Sequence, residues 1–416
     1  MVCAVLAIII ANSVFLPYYQ KILHTKITIS TGSFVISHTV HHWINDGLMA
    51  FFFFVVGLEI KREVLVGELA DKRQAILPIA AAIGGMVVPA VIYVFFNKNG
   101  AAINGWGIPM ATDIAFALGV LALLGKRIPL ALIGLLLAIA IVDDLGAVVV
   151  IAVFYTEQIN GGALLFAAIC FLLLLASNLA GLRRPLPYVV FGVFLWIGML
   201  ESGVHATLAG VLAALTVPAT SNCDSNLFVE KMENMIKKFS SVNFPEKTIM
   251  ENTEQQVCLQ SMENYIHSME SPLQKMEHTL HIWVSFLIVP LFALANAGVA
   301  IEFTQLDDIL IHPVSVGIFL GLIVGKFFGI SVFSYVVIVL GWSKLPAGVT
   351  FSQICGVALL AGIGFTMSMF IGDLAFTGQP ELLYKAKIGI IFASLVAGIS
   401  GYLWLLVATK NQVIAK

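Results

Sequence analysis

Charge is what this chain of 416 residues has least of: Asp, Glu, Lys and Arg make up 11% of it, against 59% hydrophobic residues. Soluble domains carry roughly 25% charged residues, so a soluble globular domain is excluded. Short strands of alternating hydrophobicity, the mark of a membrane β-barrel, are also missing. A net charge of -2 offers no basic surface to a nucleic acid. The five cysteines (Cys3, Cys170, Cys223, Cys258 and Cys355) are scattered without metal-ligand spacing and read as packing residues or free thiols. No Walker phosphate-binding motif occurs. The start, MVCAVLAIIIANS, lacks a basic n-region and a clear cleavage site, so it reads as a first transmembrane helix and not as a signal peptide.

What is present is a series of long apolar runs, with a mean hydropathy of +0.98. The fold class that fits is an all-α polytopic membrane protein with lipid as its surroundings. At about 20 residues per crossing the runs divide into about twelve helices. They lie near 2–17, 45–65, 75–96, 109–125, 129–155, 162–181, 185–200, 203–218, 281–300, 314–341, 353–376 and 383–409.

With both termini cytoplasmic, the inner loops hold Lys61, Arg62, Lys72, Arg73, Lys126, Arg127, Arg183, Arg184 and Lys344, with Lys410 and Lys416 in the tail. The outer loops hold only Lys21, Lys26, Lys98, Lys385 and Lys387. That asymmetry is the positive-inside pattern.

Two extramembrane pieces stand out. Residues 27–36, ITISTGSFVI, alternate around a Thr-Gly turn and predict an outer β-hairpin. A lone hairpin is marginal in water, so a second subunit is expected to support it. Residues 219–280 are polar and methionine-rich, and their KMENMIKKF and SMENYIHSMESPLQKMEH stretches fit amphipathic helices. A tolerated insertion in a cytoplasmic loop is the favoured account of them. The chain therefore divides into helices 1–8 (1–218), this insertion (219–280) and helices 9–12 (281–416).

Each ionisable residue in a bilayer core costs at least about 2.5–3.5 kcal/mol and is read as functional by default. Asp143 and Asp144 lie side by side in AIAIVDDLGAVVV, among small residues. Two buried carboxylates raise each other's proton affinity and titrate as a unit. Such a pair holds protons or a hard, oxygen-seeking cation, which makes the two compete for one site. An ion pair with Lys326 that merely locks helices together is the structural alternative. Asp113 follows Thr112 in GIPMATDIAFALG, where Gly107 and Pro109 interrupt the helix. The stretch 356–370 is a second interrupted span, with Gly362 and Gly364 beside Thr366. Paired interrupted spans point to a midplane transport site. Asp113 suits the positive half-helix N-termini and Lys326 the negative C-termini. Asp373 reads as a solvated boundary residue, and His205 as a packed histidine or a ligand.

At these residues the chain resembles the NhaA family of sodium/proton antiporters. The resemblance rests on WINDGLMAFFFFVVGLEIKRE, MATDIAFALGVLALLGKR, LLLAIAIVDDLGAVVVIAVFYT, HATLAG, PLFALANAGV, GLIVGKFFGIS and GIGFTMSMFI. It implies a twelve-helix fold with inverted-topology repeats and two broken, crossing helices. It further implies Asp143 and Asp144 as the binding pair for transported Na⁺ or Li⁺, with Thr112, Asp113 and Lys326 completing the exchange site. Glu59, Glu63, His205, Glu277, His278 and His281 match positions linked to pH sensing.

The expected function is an electrogenic, pH-regulated Na⁺(Li⁺)/H⁺ antiporter working by alternating access. It is expected in a bacterial inner membrane as a homodimer joined through the hairpin, with no cofactor and no enzymatic activity. A passive cation channel, or transport of another cation on the same fold, is the alternative. An intramembrane aspartyl protease is disfavoured, since FIGD lacks the GxGD pattern. The segment 219–280 is longer than the loop usual in the family.

Overall fold

The computed structural model describes residues 1–31, 34–156, 159–220, 225–241, 252–302 and 306–410. Gly32 of the expected turn, Cys223 and Lys416 lie outside the described residues.

The first apolar run does not make one helix over 2–17. Helix α1 (Val2–Ala11) ends where Asn12 turns its side chain onto the Ile8 and Val299 carbonyls, and α2 (Leu16–His24) leaves at 112°. A side chain that takes the backbone's hydrogen bonds competes with helix continuation. Strand β1 (Lys26–Thr31) pairs antiparallel with β2 (Phe34–Thr39), in the register that sets Lys26 opposite Thr39. The Thr28 and Ser37 hydroxyls meet across the pair at 2.8 Å.

Thr39 caps the short α3 (Val40–His42), which runs through a π-helical segment, Trp43–Leu48, into α4 (Met49–Val66). Asp71 caps α5 (Lys72–Phe96) by accepting from the Arg73 amide at 2.9 Å. A tight 3-10 segment, Gly100–Met110, then meets α6 (Ile114–Leu124) at 41°. Next come α7 (Leu130–Phe154), α8 (Gly161–Leu179), α9 (Pro185–Ser202) and the short α10 (Thr207–Thr216).

The polar segment after α10 carries α11 (Ser225–Ser241) and α12 (Thr253–Met269), joined by stacking of Phe228 on Tyr265. The SMENYIHSMESPLQKMEH stretch is not one helix. Ser271 and Gln274 form a capping box there, and Pro272 sits in the first turn of α13 (Pro272–Trp283). The ninth long helix consequently starts at Pro272, well ahead of residue 281, because cap and proline together define a helix start. It continues through π-helical Val284–Ile288 into α14 (Val289–Asn296).

After α15 (Leu306–Ile311), α16 (Pro313–Leu320) passes through π-helical Gly321–Gly325 into α17 (Lys326–Val339). Then α18 (Phe351–Leu360) and α19 (Phe365–Ala375) form a second bent pair, at 48°, before α20 (Pro380–Ala408).

Among the described residues seven helices are long and apolar enough to cross a membrane, or up to ten if each of three bent pairs counts as one span. Helix α4 is charged at one end, and α10 has only ten residues. The chain is a multi-pass, all-helical membrane protein. Helix α5 packs along α17, while α4 packs along α10 and α13. Gly84 and Gly329 set the first contact: a Cβ on either would strike the other's carbonyl oxygen. Without a hydrophobic drive inside lipid, such close backbone approach is what favours association.

Gly329→Ala should lower the thermal unfolding midpoint of the detergent-solubilised protein, by the equivalent of about 1–3 kcal/mol of overpacking. A Cβ at Gly161 meets nothing within 4 Å, so Gly161→Ala should leave the midpoint in place. Equal midpoints would mean that the α5–α17 approach tolerates separation.

Candidate functional site

The two bent pairs lie against each other at their breaks. The Asp113 amide donates to the Ile363 carbonyl at 2.7 Å, so backbone freed by one interruption is satisfied by the other. The break of the first pair falls at Ala111–Asp113, after Gly107 and Pro109, which lie inside the tight 3-10 segment. In the second pair Gly362 and Gly364 occupy the break, and Thr366 lies in the first turn of α19.

Asp113 caps both second halves. Its Oδ1 accepts from the Phe116 amide of α6 at 3.0 Å, and its Oδ2 from the Thr366 amide of α19 at 2.9 Å and from the Thr366 hydroxyl. One carboxylate thus faces two helix N-termini, where unpaired amides and the helix dipoles favour negative charge. Lys326 reaches the opposite kind of end only through Thr112. The Thr112 hydroxyl lies 2.9 Å from the Ala361 carbonyl at the end of α18 and accepts from Lys326 Nζ at 3.0 Å.

Lys326 Nζ also donates to Asp143 Oδ2 at 2.5 Å, and Thr112 Oγ1 sits 2.7 Å from the same oxygen. Asp143, Thr112 and Lys326 are all buried. The π-helical segment Gly321–Gly325 ends just before Lys326; such bulges are frequent at functional sites. Asp144 is as deeply buried as Asp143, yet neither of its oxygens has a hydrogen-bond partner among the described residues. Asp143 Oδ1 has none either. Three carboxylate oxygens of two adjacent residues are thus held away from water with one lysine between them. Buried polar atoms are almost always partnered, and these are the kind of oxygens that hold a proton or a hard cation.

The acids of GLEIKRE and EHTLHIW meet at the other end of α4. Arg62 bridges Glu63, at 3.0 Å, and Glu277, at 2.6 Å, while His281 Nδ1 lies 3.4 Å from Glu59. His278 is exposed beside them. His205 is not part of this group: it follows α9 at the opposite end and its Nε2 contacts the Tyr155 carbonyl at 2.5 Å.

A family model described as Na+/H+ antiporter 1 matches residues 1–405. The chain is 51% identical to a Na(+)/H(+) antiporter NhaA of Sulfurimonas denitrificans, over 99% of this chain and 92% of that one. It is 48% identical to Na(+)/H(+) antiporter NhaA 1 of Saccharophagus degradans, over 97% of this chain and 87% of that one. With the NhaA of Wolinella succinogenes the identity is 47%, over 97% and 88%. The chain belongs to the Na+/H+ antiporter 1 family.

In this antiporter-family chain, reading the sequence missed several polar positions. Arg62 entered only as a loop charge, although it ties two acids together. Lys61 donates to the Leu215 and Val217 carbonyls at 2.7 and 2.5 Å, closing the end of α10. Asp373 is not a solvated boundary residue: it pairs with Lys387 at 3.0 Å and accepts from Asn45 at 3.0 Å. The signal was present in Asn45, Asp46 and Asn296, polar residues flanking apolar runs, but their partners lie far away in sequence. The four described cysteines are free thiols.

The double cap on Asp113 is open to a direct test. Thr366→Val removes a hydroxyl bonded to a buried carboxylate and should cost about 1.5–3 kcal/mol, read as a lower unfolding midpoint in detergent. Thr366→Ser should keep most of the stability. A valine variant as stable as the parent would show that the hydroxyl contributes nothing.

Proposed function

We propose that this protein is an electrogenic Na⁺(Li⁺)/H⁺ antiporter that works by alternating access. The observation that carries the reading is the pair of buried carboxylates, Asp143 and Asp144, matched by the single cation Lys326, with three oxygens unpartnered among the described residues. Family membership and relatives named Na(+)/H(+) antiporter support Na⁺ and H⁺ as transported ions.

In the proposed cycle Na⁺ or Li⁺ enters from the cytoplasm and is held by Asp143 and Asp144. Binding competes with the Asp143–Lys326 contact and releases protons inward. Thr112 follows Asp143 and offers a further oxygen, while Asp113 keeps the half-helix ends neutralised throughout. The helices then rock, the ion leaves outward, and external protons reset the pair. No cofactor is required.

Suppose two protons enter for each Na⁺ expelled. A potential of about 100 mV then supplies roughly 2.3 kcal/mol for the one net charge. One pH unit adds about 1.4 kcal/mol per proton. The sum, about 5 kcal/mol, sustains a sodium gradient above roughly a thousandfold.

The same reading takes the chain as twelve crossings with inverted repeats around the two bent pairs. It sits in a bacterial inner membrane with lipid around it, both termini cytoplasmic and the β1–β2 pair outside. That pair is the proposed contact between two copies. Glu59, Glu63, Glu277, His278 and His281 serve as an inner-face pH sensor through Arg62, with His205 a separate responsive position on the outer side.

Two measurements in proteoliposomes test this. Asp144→Asn should abolish collapse of a pH gradient on adding Na⁺ or Li⁺; retained exchange would sink the proposal, and equal collapse with K⁺ would move it to another cation. Exchange should fall as the cytoplasmic-side pH drops, the direction expected of an inner-face sensor of this kind. A flat profile between about pH 6 and 8.5 would remove the sensor role.

A further inference from the structure

A second polar cluster lies at the opposite end of α4 from Arg62 and takes no part in the cycle described so far. His41 Nε2 donates to Asn296 Oδ1 at 3.0 Å. Asn296 Nδ2 donates to Asn45 Oδ1 at 2.8 Å, and Asn45 Nδ2 to Asp373 Oδ2 at 3.0 Å. Lys387 approaches Asp373 from the other side, at 3.0 Å from Oδ1. His41 itself comes within 4.0 Å of the same carboxylate. Every donor in this relay points towards Asp373, so its charge polarises the whole chain of bonds. Networks of this kind strengthen with each member and fail together.

The membership of the cluster is what gives it meaning. Asp373 and Lys387 belong to α19 and α20, and the first turn of α19 holds Thr366, the residue bonded to Asp113. Asn45 and His41 precede α4, and Asn296 ends α14. The relay therefore ties the helices that hold the ion site to a different pair of helices. Beneath it lies an aromatic layer drawn from the same helices: Phe370 of α19 stands 5.8 Å from Phe53 of α4 and 6.1 Å from Phe292 of α14, between ring centroids. All three rings are buried. Two stacked layers, one polar and one aromatic, thus close the same seam.

We propose that Asp373, Asn45, Asn296, His41 and Lys387 form an outer latch, which must part before the site at Asp143 and Asp144 opens to the β1–β2 face. Asp373 is its positioning residue, acting through α19 and touching no transported ion. The proposal rests on the antiporter reading and its alternation between two faces. A latch of hydrogen-bonded charge also sets a threshold, because opening this seam means hydrating a carboxylate, a lysine and two amides at once.

Labelling from outside tests this. In a chain whose five cysteines are replaced by serine, Ala293→Cys places a buried thiol on α14 below Asn296. A membrane-impermeant maleimide is added to right-side-out vesicles. Adding Asp373→Ala should raise the labelling rate by about tenfold, the population shift expected from losing a charge-assisted contact. Asp373→Glu, which keeps a carboxylate acceptor for Asn45 and Lys387, should hold labelling near the parent rate.

Unchanged labelling in Asp373→Ala overturns the latch. Labelling as fast in Asp373→Glu as in Asp373→Ala assigns the effect to local unfolding and overturns it as well. Labelling requires no transport. Absent Na⁺/H⁺ exchange in the parent would sink the antiporter reading while leaving fast labelling of Asp373→Ala measurable.

Discussion

Two carboxylates share one lysine in the middle of this membrane protein, and the surrounding architecture can be understood as what makes that imbalance tolerable. A charge in the bilayer core survives only where backbone, side chain or ion answers it. Asp143 is answered by Lys326 and Thr112. Asp144 is answered by no hydrogen bond among the described residues. On the proposed cycle the unanswered half is where an exchangeable ion acts: a site fully satisfied by protein would have no use for cargo.

The bent pairs supply the conditions for that site. Two continuous helices would fill this region with bonded backbone and apolar side chains. Breaking each at Ala111–Asp113 and at Ala361–Gly364 turns their ends inward, where Asp113 caps two N-termini and Thr112 meets the end of α18. The interruptions then satisfy one another through the Asp113–Ile363 backbone bond. Irregular backbone is stable at this depth because it is buried in protein, away from lipid.

Helix α4 links the two ends of the molecule. Its charged end carries Glu59, Arg62 and Glu63 against Glu277 and His281, and its other end leads back to Asn45 and His41. Both clusters join α4 to the 272–296 helix, so a tilt of one against the other is felt at both faces. On the proposed cycle the inner cluster senses pH and the outer one restrains opening, and the aromatic layer beneath the latch keeps water from the ion site between openings.

Read alone, the sequence determined the class of molecule and the candidate ion pair. Scarce charge and long apolar runs leave no soluble alternative, and an Asp-Asp step inside such a run is too costly to be incidental. The Gly-interrupted stretches at 107–113 and 362–366 were legible for the same local reason. Only the tertiary structure decided which groups answer one another, because partners such as Asn45 and Asp373, or Arg62 and Glu277, are separated by hundreds of residues and leave no periodicity. It also moved helix limits set by side-chain capping: Asn12 ends α1 early, and Ser271 with Pro272 starts the ninth helix early. Hydropathy reports what lipid accepts, whereas caps and relays depend on geometry that exists only once the chain has folded.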